Sequence, residues 1–316
     1  MKIFVRLFVI SVLVVLFNCT TKEYILPDRP PQLVVNGVLQ ANQPARVYIG
    51  RSWLPTEAVP TPHFISTALV LIFMEGQIID TLQHQGVGIY TGNPKRNLVV
   101  GKSYIIRVSV VNFTSAYSNA VRIPAPFPLN GIYLDKKTPV LGLNGTSAGP
   151  VLIQTRLNGA KPSDEYYGVS IRPMYQKYRL GTAISAAGFA NQNFDNECFI
   201  STSLPRDIQS VLPYESAFFF KAMCVNEAIG STISLVAETK GGLILDNGTF
   251  QQATADRFVI TFINSTSDYP LNRQSSQGPE GLESAFIDPK PTFTNINNGF
   301  GIISAFNSQT LVVLNK

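Results

Sequence analysis

From Tyr104 the chain alternates apolar and polar side chains. Tyr104, Ile106, Val108 and Val110 fall on one face, Arg107 and Ser109 on the other. A period of two with one polar face predicts a half-buried antiparallel strand. Similar short runs occur at Leu33–Leu39, Ala45–Ile49, Thr67–Met74, Gln77–Gln83 and Ala116–Ile123, with Glu75-Gly76 as a hairpin turn between the third and fourth. Prolines at 55, 60 and 62 make the stretch after Ile49 a loop, and no helical period appears in this region.

These short strands predict an all-β fold whose first part, residues 32–123, is an immunoglobulin- or fibronectin-like sandwich. The run from Leu98 to Tyr104 resembles the tyrosine corner of Greek-key sandwiches, which predicts that the Tyr104 hydroxyl bonds back to the backbone. Pro124, Pro126 and Pro128 cannot sit inside a sheet, so residues 124–130 are expected to be a linker. Residues 131–316 are expected to form a second β-rich domain with little helix. Its candidate strands are 131–135, 151–157, 166–172, 217–225, 231–238, 256–263 and 299–306. Ser203–Leu212 reads as a short helix capped by Ser203, and Asn191–Asn196 as a polar loop. Ser265–Pro291, rich in Ser, Gln, Gly and Pro, reads as a long loop that is either functional or carries unrecognised structure. In Phe218-Phe219-Phe220 one ring must point opposite to its neighbours.

The amino terminus differs in kind. Lys2 and Arg6 precede an apolar run from Leu7 to Phe17 broken only by Ser11. A charged start and a short apolar run make a signal peptide, residues 1–18; spanning a membrane takes about 20 apolar residues. Leu16-Phe17-Asn18-Cys19 resembles the lipobox of bacterial lipoproteins, which implies diacylation of Cys19 and membrane attachment through that lipid. Residues 19–31, with Pro27, Pro30 and Pro31, then form a tether. Taking Lys2 and Arg6 from the formal charge of +5 leaves +3. That small excess, without any basic run, gives no case for a nucleic-acid partner. With Cys19 lipidated, Cys198 and Cys224 remain, and a pair of cysteines in an exported chain reads as a disulfide. Closing that loop of about 25 residues would contribute about 3 kcal/mol.

Candidate chemistry is sparse. Gly145-Thr146-Ser147-Ala148-Gly149 fits a nucleophile-elbow pattern, but Pro150 and a β run follow where a helix is required. It reads as a loop. His63 and His84 have no acidic or cysteine partner at ligand spacing, and Asp195-Asn196-Glu197 reads as a solvated loop rather than a calcium site. No metal, cofactor or catalytic residue is expected. Trp53, the single tryptophan, enters the proline-rich loop, where an aromatic ring can stack on a sugar or fill a partner's pocket. It is the one candidate for ligand or partner contact.

Near the carboxyl end stands Pro291-Thr292-Phe293-Thr294-Asn295-Ile296-Asn297-Asn298-Gly299-Phe300-Gly301-Ile302. Asn and Gly tolerate positive φ, so this reads as a turn that pins the last strand into its sheet. With Cys19, the run Leu33–Leu39 and the prolines at 124–128, this segment resembles the closing signature of the DUF4249 family of Bacteroidota outer-membrane lipoproteins. The resemblance implies a lipid-anchored, non-enzymatic accessory or ligand-capture subunit of a TonB-dependent uptake barrel. The alternative is a free-standing surface adhesin or glycan-binding module. Surface lipoproteins of that phylum carry several acids after the cysteine, and here only Glu23 follows, so both faces of the outer membrane stay open.

Overall fold

The computed structural model describes residues 30–53, 62–135, 150–157, 165–174, 182–184, 187–189, 199–200, 218–223, 232–238, 240–244, 250–276 and 292–315. The readings made above for residues 1–29 with Cys19, for Gly145–Gly149, Asn191–Asn196 and Ser203–Leu212, and for Cys198 and Cys224 lie outside them.

The described chain is nearly all β, as its alternation predicts. The amino-terminal strands are β1 (Leu33–Gln40), β2 (Arg46–Arg51), β3 (Leu69–Met74), β4 (Gln77–Gly86), β5 (Ile89–Thr91), β6 (Ser103–Ser109), β7 (Ala116–Ser118) and β8 (Val121–Arg122). After residue 124 come β9 (Leu129–Asp135), β10 (Pro150–Leu157), β11 (Glu165–Met174), β12 (Thr182–Ile184), β13 (Ala187–Phe189), β14 (Phe199–Ile200) and β15 (Phe218–Lys221). Then follow β16 (Thr232–Glu238), β17 (Lys240–Ile244), β18 (Phe250–Thr254), β19 (Arg257–Thr266), helix α1 (Asp268–Ser276), β20 (Ile296–Asn297), β21 (Gly299–Phe300) and β22 (Ile303–Leu314).

Fifteen strands share one sheet, in the order β14-β15-β11-β19-β22-β1-β2-β5-β4-β3-β6-β7-β20, with β21 beside β1 and β8 beside β6. Two smaller sheets are β13-β16-β10-β9 and β12-β17-β18. The large sheet curls over its first core, where Leu33, Val35, Val47 and Ile49 meet Val70, Ile72, Ile106 and Val108. Strand β6 shows why: its residues alternate exposed and buried from Ser103 to Val108. The Tyr104 hydroxyl accepts the Val99 N–H at 2.9 Å, the backbone bond its sequence context predicts. A second tyrosine does similar work unannounced by any motif. The buried Tyr90 hydroxyl accepts from Ala68 N–H at 2.9 Å and donates to Ile65 O at 3.1 Å, fastening the loop ahead of β3; burial raises its pKa.

A second core lies between β9–β10 and the sheet of β11, β15 and β19, around Ile153, Tyr167, Val169, Phe220, Phe258 and Phe262. Phe219 faces the opposite way, into a third core with Tyr269 and Phe306 at centroid distances of 5.3 and 6.0 Å. Phe219 and Phe220 thus send their rings into two different cores.

Residues 32–316 form one compact unit. The proline-rich stretch at 124–128 is strapped to it by side-chain amides. Asn307 Nδ2 donates to Pro124 O at 3.0 Å, Asn264 Nδ2 to Ala125 O at 3.0 Å and Gln309 Nε2 to Phe127 O at 3.2 Å. Proline lacks an N–H, so the strap is held through its carbonyls by the buried Asn264 of β19 and Asn307 of β22 and the half-buried Gln309 of β22. Within Ser265–Pro291, read above as a loop, residues 268–276 are helical. The helix is short and polar, with Pro270 in the first turn, where a missing N–H costs nothing. Packing of buried Tyr269 holds it, not a helical period.

Candidate functional site

The outward face of β1 and β2 forms an open groove of about 360 Å³. Alternation builds it. Leu33 and Val35 point into the first core, so Val34 and Asn36 point out. The register sets Val34 opposite Gly50 and Asn36 opposite Tyr48. On the other side of β1, Phe300 of β21 stands level with Val34. Val34 and Gly50 are therefore the floor, and a side chain at position 50 would crowd it: a Cβ on Gly50 would sit 3.0 Å from the Tyr48 ring.

The walls are aromatic. β2 ends at Arg51, and the chain is held by reciprocal bonds: Ser52 N–H to Gln32 O and Gln32 N–H to Ser52 Oγ, both 2.9 Å. This places Trp53 at the rim, 42% exposed. His63 returns beside it, with ring centroids 6.4 Å apart and planes inclined at 58°. The His63 carbonyl accepts the Arg51 N–H at 3.1 Å, so the returning segment lies along the end of β2. Phe300, 45% exposed, forms the facing wall. Among the described residues Arg51 is the only fixed charge in the lining, and it has no carboxylate partner there.

Phe300 reaches this position through the Asn-rich segment before the last strand. Asn298 takes φ of 59° and Gly301 φ of 105°. A side chain on Gly301 would overlap the Val35 carbonyl oxygen. β21 and β22 run parallel to β1, and in the gap between them Asn36 Oδ1 accepts the Ile302 N–H at 3.1 Å while Gly37 N–H donates to Ile302 O at 2.8 Å. β22 pairs with β19 only from Phe306 onward. Before that point, Asn295 stands in for a strand: its Nδ2 donates to Ile303 O at 2.7 Å and its Oδ1 accepts Ile303 N–H at 2.9 Å. The same Nδ2 reaches Asp268 Oδ1 at 2.9 Å. Burial raises the Asp268 pKa, opposed by its bonds from Asn295 and Thr266.

A family model described as "Domain of unknown function (DUF4249)" matches residues 20–311, from the position after Cys19 through most of β22. The chain belongs to the DUF4249 family. The closing segment of this DUF4249 protein pins its last strand, as its sequence predicts, and also supplies a groove wall. A search of curated proteins found no match. Among solved structures, "Drosophila OTK, extracellular domains 3-5" is similar at 8% identity, covering 75% of this chain and 95% of that one, with a TM-score of 0.18. "Biofilm associated protein - BSP domain" is similar at 9% identity, covering 94% of this chain and 62% of that one, also with a TM-score of 0.18. Neither likeness bears on the fold or the function of this chain.

Of the residues singled out by sequence, the structure brings Trp53 and His63 together and leaves His84 elsewhere, 5.2 Å from Tyr90. Among the described residues no three His, Cys, Asp or Glu side chains are placed to hold a metal. Sequence reasoning missed Tyr48, Arg51 and Phe300. For Tyr48 and Phe300 the signal was an aromatic ring on the outward face of a strand, where packing does not call for one. A second shallow cleft lies beside the β3–β4 turn, where Lys102 Nζ donates to Glu75 Oε1 at 2.6 Å. The pairing lowers the Glu75 pKa and raises that of Lys102. Both groups are exposed, so this ion pair is a weak tie.

Proposed function

We propose that this DUF4249 protein is a lipid-anchored, non-enzymatic ligand-capture subunit working beside a TonB-dependent barrel of the outer membrane. The observation that carries the reading is the groove of Trp53, Tyr48, His63 and Phe300 around a Val34–Gly50 floor. Exposed aromatic walls with a few polar groups are the composition of recognition sites. The anchor is the acyl chain on Cys19, and buried acyl chain is worth about 0.8 kcal/mol per CH₂. The pair Cys198 and Cys224 joins in a disulfide in that oxidising compartment. The aromatic rim equally favours a second reading, a free-standing glycan-binding module or adhesin.

Isolation of the tagged chain from its own membranes in mild detergent, with mass spectrometry of its companions, separates these readings. A stoichiometric β-barrel supports the capture subunit. An acylated chain without a barrel overturns it in favour of the free-standing binder.

A further inference from the structure

We propose that the groove recognises an acidic pyranose, a sugar ring bearing a carboxylate, within an oligosaccharide. The inference rests on the ligand-capture reading and names the class of ligand. A pyranose presents apolar C–H faces and a hydroxylated rim. Aromatic faces carry partial negative charge that attracts such C–H groups, and Trp53 and Phe300 expose theirs on opposite sides of the groove. Between them Gly50 contributes no side chain, leaving a flat floor with Val34. The volume of about 360 Å³ lies at the small end of ligand sites. It suits about one ring, and its opening along the sheet face lets neighbouring sugars run out on either side.

Charge selects among sugars. Among the described residues no carboxylate lines the groove and Arg51 has no acidic partner. A guanidinium is a planar fork that matches a carboxylate with two parallel hydrogen bonds. Ser52 and His63 flank it as partners for hydroxyls.

Trp53 is the single tryptophan, so its fluorescence reports on this groove alone. The full-length chain in mild detergent is titrated with galacturonic acid oligosaccharides, with neutral galactose oligosaccharides of equal length, and with benzoate. The proposal expects a saturable change in emission with the acidic oligosaccharide. A charged hydrogen bond is worth about 1.5–3 kcal/mol, so the neutral sugar should bind at least about tenfold more weakly. Arg51→Gln should bring the acidic sugar down to the neutral level, and Phe300→Ala should abolish saturation while the melting temperature holds. Equal binding of neutral and acidic sugars overturns the acidic assignment. Benzoate binding as tightly as the acidic sugar overturns the sugar assignment and leaves ligand capture standing. No response to any probe overturns the proposal, while co-isolation with a barrel judges the capture reading separately.

Discussion

Asn295→Ala probes the joint between the closing segment and the sheet. Asn295 is 3% exposed, and its side chain satisfies both backbone groups of the fully buried Ile303. Truncation leaves an N–H and a C=O without partners where β19 does not reach, and removes a bond to Asp268. A buried backbone group stripped of its partner costs about 1–3 kcal/mol. Two such groups, with some relief from entering water, give a loss on the order of 3 kcal/mol. For a unit of this size that lowers the melting temperature by roughly 5 °C. Urea denaturation followed by circular dichroism measures the free energy, and thermal melts give the temperature. Asn295→Asp sharpens the test. It keeps one acceptor, loses the donor and sets a second carboxylate against Asp268, so its deficit should grow from pH 4 to pH 7. A loss under about 1 kcal/mol for Asn295→Ala, or a pH-independent Asn295→Asp, would refute the strand-mimic account.

Three further outcomes follow from the same geometry. Gly301→Ala combines positive φ with overlap on the Val35 carbonyl; a loss on the order of 3 kcal/mol in denaturation is expected, and under about 1 kcal/mol contradicts it. Tyr104→Phe removes the hydroxyl that accepts Val99 N–H, and should cost about 1 kcal/mol in the same assay without moving the slope of the transition. Asp268 has a folded pKa raised by burial, so its contribution is full below the unfolded carboxyl pKa and falls as pH rises through the folded value. Asp268→Asn should therefore gain melting temperature relative to the parent between pH 4 and pH 7; a constant difference across that range would show that burial does not penalise the carboxylate.

Local pattern carried most of the strands. The alternation from Tyr104 to Val108 appears residue for residue in β6, and Glu75-Gly76 turns the hairpin with φ of 53° and 80°. The Asn-Gly segment was legible as a turn because few other residues accept its φ values. Other features were not legible because their cause lies far along the chain. β5 has three residues and exists by pairing with β2 and β4. Helix α1 is fixed by Tyr269 in a core assembled from five other stretches. Residues 124–130 read as a linker, and nothing nearby in sequence shows that Asn307, Asn264 and Gln309 hold the Pro124, Ala125 and Phe127 carbonyls. Of the groove, only Trp53 stood out as a contact residue, His63 having drawn notice only as a histidine without metal-ligand partners. Its floor depends on the β1–β2 register, and its far wall on the parallel docking of β21 against β1, a pairing that periodicity does not encode.

The central claim is that this chain holds a small ligand between Trp53 and Phe300. Native mass spectrometry of the chain taken from its own membranes tests it without presuming the ligand's class. The account predicts that the parent carries a bound small molecule and that a Trp53→Ala/Phe300→Ala variant, equally stable, carries none. The same bound mass on both, or no bound mass on the parent, would contradict it.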